Sequence, residues 1–271
     1  MPTTIDGPAV TEALRAEWKT IAALGRDLDD AAWAAPSVLP AWSNADIIAH
    51  VIGTESMLAG RDVEAAADIA DRPHVHNAVG EFNERWLDHF RGASRDDVLA
   101  ALDEIIEVRS AALATMTTAD FDAETMTPAG RDTYGRFMRI RVFDCWIHEL
   151  DLRDATDGSA PSDALTARWA VDEISASLPF VVGKRAGAPS GTTVDFEVTG
   201  LAPRTIRVEV TDRARPVPVS PDTSADTTLR VDTLDLARLV GGRRTADPAA
   251  VEITGDEDLG RAIVDHLNYV I

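Results

Sequence analysis

The spacing of apolar residues changes once along this chain, and the change demands two kinds of architecture. Val10, Leu14, Trp18, Ile21, Leu24 and Leu28 recur at three- and four-residue steps, the period of an amphipathic helix. Similar patterns predict helices over 77–91, from Ser94 to about 116, over about 133–154 and over about 162–178. Ser43-Asn44-Ala45-Asp46 reads as a capping box opening another helix, with Ile47, Ile48, Val51, Ile52, Met57 and Leu58 in it. A loop with Pro128 and Gly130 is expected over 117–132. Beyond Gly183, Gly187, Pro189, Ser190 and Gly191, a linker-like run, the period becomes two. Residues 193–198, 205–210 and 228–232 alternate and read as half-buried antiparallel strands. A short helix over 234–239, a fourth strand over 251–253 and a helix after Gly255-Asp256 complete the chain. The boundary is placed near residue 185: an all-helical domain over 1–184, then a small α+β domain over 185–271.

Charge narrows the partners. Acids outnumber bases 46 to 26, a formal net charge of -20. Such a surface repels nucleic acid and anionic membranes. No apolar run approaches the ~18 residues that span a bilayer, and Met1-Pro2-Thr3-Thr4-Ile5-Asp6 does not open a signal peptide. Cys145 is the single cysteine, so no intrachain disulfide can form. A cytoplasmic protein, monomeric or a small homo-oligomer, is expected.

Chemistry concentrates in Arg141-Val142-Phe143-Asp144-Cys145-Trp146-Ile147-His148-Glu149-Leu150-Asp151-Leu152-Arg153. On a helix, Asp144, His148 and Asp151 share one face, and polar groups among so many apolar residues are costly unless paired or bound to a metal. His50 lies on the capped helix among apolar neighbours. Facing helices of a bundle build metal sites from such side chains. Two imidazoles and a carboxylate suit Zn²⁺ and leave a position open for water or substrate, though iron and nickel accept the same donors. The competing reading makes His50 a satisfied core histidine and pairs Asp144 with Arg141 or Arg139. Cys145, rotated about 100° from Asp144, reads as a small apolar residue. Asp151 reads either as an acceptor for an imidazole nitrogen turned away from the metal or as a partner of Arg153. His74, His76, His89 and His266 fall in polar, surface-like contexts. The chain contains no glycine-rich phosphate loop, no Gly-x-Ser-x-Gly and no His-Glu-x-x-His.

Trp42-Ser43-Asn44-Ala45-Asp46-Ile47-Ile48-Ala49-His50-Val51 resembles the helix start of the mycothiol-dependent maleylpyruvate isomerase family, among the DinB-like metal-binding bundles. The 141–153 segment resembles the family's second signature, and Val251-Glu252-Ile253-Thr254-Gly255-Asp256 resembles its sterol-carrier-like C-terminal domain. The resemblance implies a DinB-like four-helix bundle followed by an α+β sterol-carrier-like domain. It implies a divalent metal, usually zinc, on His50, Asp144 and His148, with mycothiol as thiol co-substrate and a small organic substrate. The prototype carries glutamate where this chain has Asp144. An arginine that helps bind an anionic substrate or thiol corresponds to Arg85. The reaction implied is isomerisation or S-transfer by a thiolate. A non-catalytic metal- or ligand-binding protein and a hydrolase activating water are the alternatives.

Overall fold

The computed structural model describes residues 2–64, 66, 68–156, 158, 163–220 and 223–270. Its contacts divide it into two compact units, the division falling between positions 161 and 162. Pro161 and Ser162, read from the sequence as a stop and a helix start, lie outside the described residues.

The first unit contains α1 (Gly7–Asp27), α2 (Asp30–Ala34), α3 (Asn44–Leu58), α4 (Ala78–Phe90), α5 (Arg95–Ala114), α6 (Thr118–Phe121), β1 (Glu124–Thr127), β2 (Gly130–Thr133) and α7 (Tyr134–Asp154). Helix α1 lies along α7 and α5, α3 lies along α5 and touches α7, and α4 packs on α3. Leu14, Trp18, Ile21, Ile47, Ile48, Leu102 and Trp146 fill the bundle core with almost no exposure. The capping box forms in both halves. The Ser43 hydroxyl accepts the Asp46 N–H at 3.2 Å, and Asp46 accepts the Ser43 N–H at 2.8 Å. Helix α7 buries residues on every side, from Phe137 and Met138 to Leu150 and Leu152, so its acids and histidine must be satisfied inside the bundle.

The stretch expected as a loop over 117–132 instead holds α6 and the β1–β2 hairpin. Pro128 and Ala129 form its two-residue connection, with Thr127 opposite Gly130. Strands of four residues are too short for alternation to announce them.

The second unit contains α8 (Ala164–Phe180), β3 (Thr193–Thr199), β4 (Arg204–Val210), β5 (Ala214–Val217), β6 (Thr227–Asp232), α9 (Thr233–Val240), β7 (Glu252–Gly255) and α10 (Glu257–Val264). Helix α8 packs within this unit, against β4, β5 and α9, so the division lies N-terminal to the boundary drawn at residue 185. The expected linker begins as a turn of π-helix, Val181–Arg185, closed by the Ala186 N–H donating to Val181 O at 2.8 Å. The sheet order is β5-β4-β3-β6-β7. Three strands were expected to be antiparallel, but β6 runs parallel to β3. Alternation reports which face a strand buries, not its direction, and β5 was hidden by Pro216. That proline sits in a strand at the sheet edge, where a missing donor is tolerated. The two units thus are a mostly helical N-terminal body and a small sheet-containing C-terminal one.

Candidate functional site

Three helices build the site. The capped α3 presents His50, α4 presents Asn83, and α7 presents Arg141, Asp144, His148 and Asp151. His50 Nε2 lies 3.1 Å from Asp144 Oδ2, and His148 Nε2 lies 3.8 Å from Asp144 Oδ1. One ligand atom from each of His50, Asp144 and His148 falls within 4.8 Å of the others. A tetrahedral pair of ligands about 2.1 Å from a cation stands roughly 3.4 Å apart, between the two His–Asp separations.

The far side of each ring is also occupied. His50 Nδ1 donates to Asn83 Oδ1 at 3.1 Å, and His148 Nδ1 donates to Asp151 Oδ2 at 3.0 Å. Both acceptors place a proton on Nδ1, which leaves the two Nε2 atoms facing Asp144. Burial pushes the His50 imidazole below its ordinary value despite the neighbouring Asp144 carboxylate. A neutral His50 with its proton on Nδ1 sets a lone pair against a carboxylate oxygen, and a cation resolves that conflict. The donor set therefore fits a divalent metal. Burial works to raise the Asp144 carboxyl, but the Arg141 guanidinium beside it holds it well below the usual carboxylate range. It is ionised and ready to ligate. The His50 and His148 side chains are 8% and 6% exposed, whereas Asp144 is 27% exposed, so the site opens to solvent on the Asp144 side.

Trp42 forms a wall. Its ring lies 5.4 Å from His50 and stacks on His148 at 6.2 Å with 25° between planes. Its indole N–H donates to buried Glu84 at 3.0 Å, which Arg72 and Arg91 also hold. The preceding Ala41 has φ 64, a left-handed conformation costly for a side chain with a Cβ, where the loop turns back to deliver Trp42.

Arg141 meets Asp144, as the competing reading anticipated, but the two histidines meet the same carboxylate. Asp151 takes the His148 nitrogen turned away from Asp144. Arg85 is engaged elsewhere: it donates to Asp62 at 2.5 Å and to Val63 O at 2.8 Å. It stands two residues, about 200° of helix, from Asn83 and therefore faces away from His50. Burial raises the Cys145 thiol well above its ordinary value, leaving it no nucleophile. Sequence reasoning missed Asn83, Glu55 and Arg109. A single amide or acid on a helix carries no periodic signal; only the apolar company of Glu55 hinted at a buried role.

Comparison with protein-family models matches residues 14–153 to the mycothiol maleylpyruvate isomerase N-terminal domain. Residues 168–262 match the MDMPI C-terminal domain. Among solved structures, the chain is similar to the mycothiol-dependent maleylpyruvate isomerase, at 15% identity and a TM-score of 0.60, covering 94% of this chain and 96% of that one. A histidine-to-alanine variant of that isomerase matches at 14% identity and a TM-score of 0.61, with the same coverage. No curated protein matches the chain.

Proposed function

The chain belongs to the mycothiol maleylpyruvate isomerase family, and from that premise we propose that it is a metal-dependent enzyme using a low-molecular-weight thiol. The substrate is a small organic molecule, the thiol is mycothiol, and the reaction is isomerisation or S-transfer. His50, Asp144 and His148 hold the divalent cation, zinc by ligand preference. The observation that carries this reading is the pair of imidazoles whose Nδ1 protons are committed to Asn83 and Asp151 while both Nε2 atoms face one carboxylate.

When bound, the cation supplies positive charge that favours the thiolate form of a thiol at neutral pH. The chain's own residues do the rest. Asn83 and Asp151 keep the rings aimed. Trp42 covers the imidazoles and keeps water from that side. The 27% exposed Asp144 marks the side from which thiol and substrate approach. Cys145, buried and protonated, leaves the nucleophilic sulfur to an external thiol. Arg85, held by Asp62, serves the substrate or thiol only if that pair opens. The absence, among the described residues, of a helix long and apolar enough to cross a membrane suits a cytoplasmic role.

The test is metal analysis of protein purified without added metal, with His50→Ala and His148→Ala beside it, followed by mycothiol-dependent isomerisation of maleylpyruvate. Wild type is expected to retain or take up about one Zn²⁺ per chain and both variants to lose it. Wild type that takes up no Zn²⁺ sinks the metal reading. A zinc-loaded protein inert with mycothiol sinks the thiol reading.

A further inference from the structure

A buried guanidinium abuts the ligand carboxylate, and holding a cation does not require it. Arg141 lies on α7 one turn before Asp144, with its side chain 2% exposed. Its Nη1 donates to Asp144 Oδ2, its Nε donates to Glu55 Oε1 at 2.9 Å, and its Nη2 contacts Cys145 Sγ at 3.4 Å. The Glu55 side chain is 0% exposed, and its second oxygen accepts from Arg109 Nε at 3.0 Å. Arg109 in turn reaches the Tyr134 hydroxyl at 2.9 Å. The run from Tyr134 to Asp144 thus passes from α7 through α5 and α3 and back to α7.

Taking charges out of water is expensive, and apolar residues often replace such pairs without loss of stability. The placement of Arg141 has two consequences for the site. Asp144 Oδ2 takes the guanidinium and also lies 3.1 Å from His50 Nε2, whereas Oδ1 is on the His148 side. The second consequence is electrostatic. Of the three residues around the proposed cation only Asp144 is an acid, and the Arg141 guanidinium on its Oδ2 offsets that charge. A divalent cation held by this set keeps an excess of positive charge that an anionic sulfur offsets. Without Arg141 that excess is smaller by one charge.

Building on the cation site of the proposed function, we propose that Arg141 is a positioning residue that makes this centre demand an anion. It holds Asp144 by one oxygen and offsets its charge, so that the cation binds less tightly alone and more tightly with an anionic sulfur or another small anion.

The experiment titrates metal-free wild type, Arg141→Met and Arg141→Lys with Co²⁺ against a chromophoric chelator. Each titration is run with no additive, with azide and with mycothiol. Arg141→Met leaves Glu55 paired with Arg109, so no charge is orphaned on that side. In wild type, azide and mycothiol are each expected to raise Co²⁺ affinity about tenfold, a usual size for coupled binding. Arg141→Met is expected to bind Co²⁺ alone about tenfold more tightly than wild type, since a like charge near the cation is gone, and to lose most of the anion increment. Arg141→Lys keeps the charge and keeps the increment. Should Arg141→Met not fold by circular dichroism, Arg141→Gln carries the same expectation. A purely structural Arg141 would lower the melting temperature and leave both affinities and increments unchanged, which overturns the proposal. So does wild type without an increment for either anion. An increment with azide but none with mycothiol supports the role of Arg141 and removes the thiol reading. Wild type that binds no Co²⁺ removes both.

Discussion

Asn83 and Asp151 decide what the two imidazoles present to the centre. Each accepts an Nδ1 proton, at 3.1 and 3.0 Å, and partners of this kind typically contribute 10–100-fold to metal affinity. Asn83→Ala and Asp151→Asn are therefore each expected to weaken Co²⁺ binding by at least about tenfold, with circular dichroism unchanged. Chelator competition reads the loss; affinities equal to wild type would mean the rings are oriented by packing alone. At this scale the sequence was legible where spacing carried information. Asp144 and His148 are four residues apart on a buried helix, and His50 interrupts an apolar helix face. Asn83 was not legible, because its meaning comes from a ring 33 positions away. Nor could the sequence separate the two readings of Asp144. The structure shows why: its carboxylate meets both the arginine of one reading and the histidines of the other.

The site's accuracy depends on how the elements pack and cap. Helix α4 approaches α3 at Gly53, where an added Cβ would fall 2.4 Å from Trp86 Cγ. Gly53→Ala is expected to push α4 away and draw Asn83 off His50. The cost is about 1–3 kcal/mol, as for other overpacked cores, with weaker Co²⁺ binding alongside. Denaturant titration and chelator competition on the same sample check both effects. The start of α7 depends on Asp132, which accepts the Thr3 and Thr133 N–H groups at 2.8 Å each, the Thr3 hydroxyl at 2.9 Å and Arg136 at 2.9 Å. Burial works to raise its carboxyl, but these donors hold it well below the usual range. A group whose folded pKa is depressed contributes stability above its unfolded pKa and loses it as pH falls toward the folded value. Wild type is thus expected to lose stability as pH drops below about 4, the unfolded carboxylate value. Asp132→Asn should be less stable at neutral pH and show a flatter acid limb; parallel curves in pH-resolved denaturation would refute it. Elements with strong local signals were read correctly, such as the Ser43 cap and the helices over 44–58 and 134–154. The hairpin over 124–133 and strand β5 were missed, since short edge strands owe their form to pairing partners distant in sequence or to turn geometry rather than to alternation.

At the scale of the molecule, the change of period marked two architectures, and two compact units are present. The two compact units divide N-terminal to residue 185 because α8 carries the helical period of the bundle while packing with the sheet. Periodicity identifies an element, whereas its unit is decided by which apolar face it covers. This bears directly on where the chemistry resides. Trp42, His50, Glu55, Asn83, Arg109, Arg141, Asp144, His148 and Asp151 all fall in the first unit. So do the core residues that hold them, from Leu14 and Trp18 to Trp146. A body of this length buries enough surface to fold by itself. The fragment 1–161 is accordingly expected to fold cooperatively and to bind Co²⁺ within about threefold of the full chain, less than the 1.4 kcal/mol that a tenfold change represents. Circular dichroism establishes the fold and chelator competition the affinity. A folded fragment that has lost the cation would refute the expectation. Retained binding with lost thiol-dependent turnover would instead assign the second unit to the organic substrate.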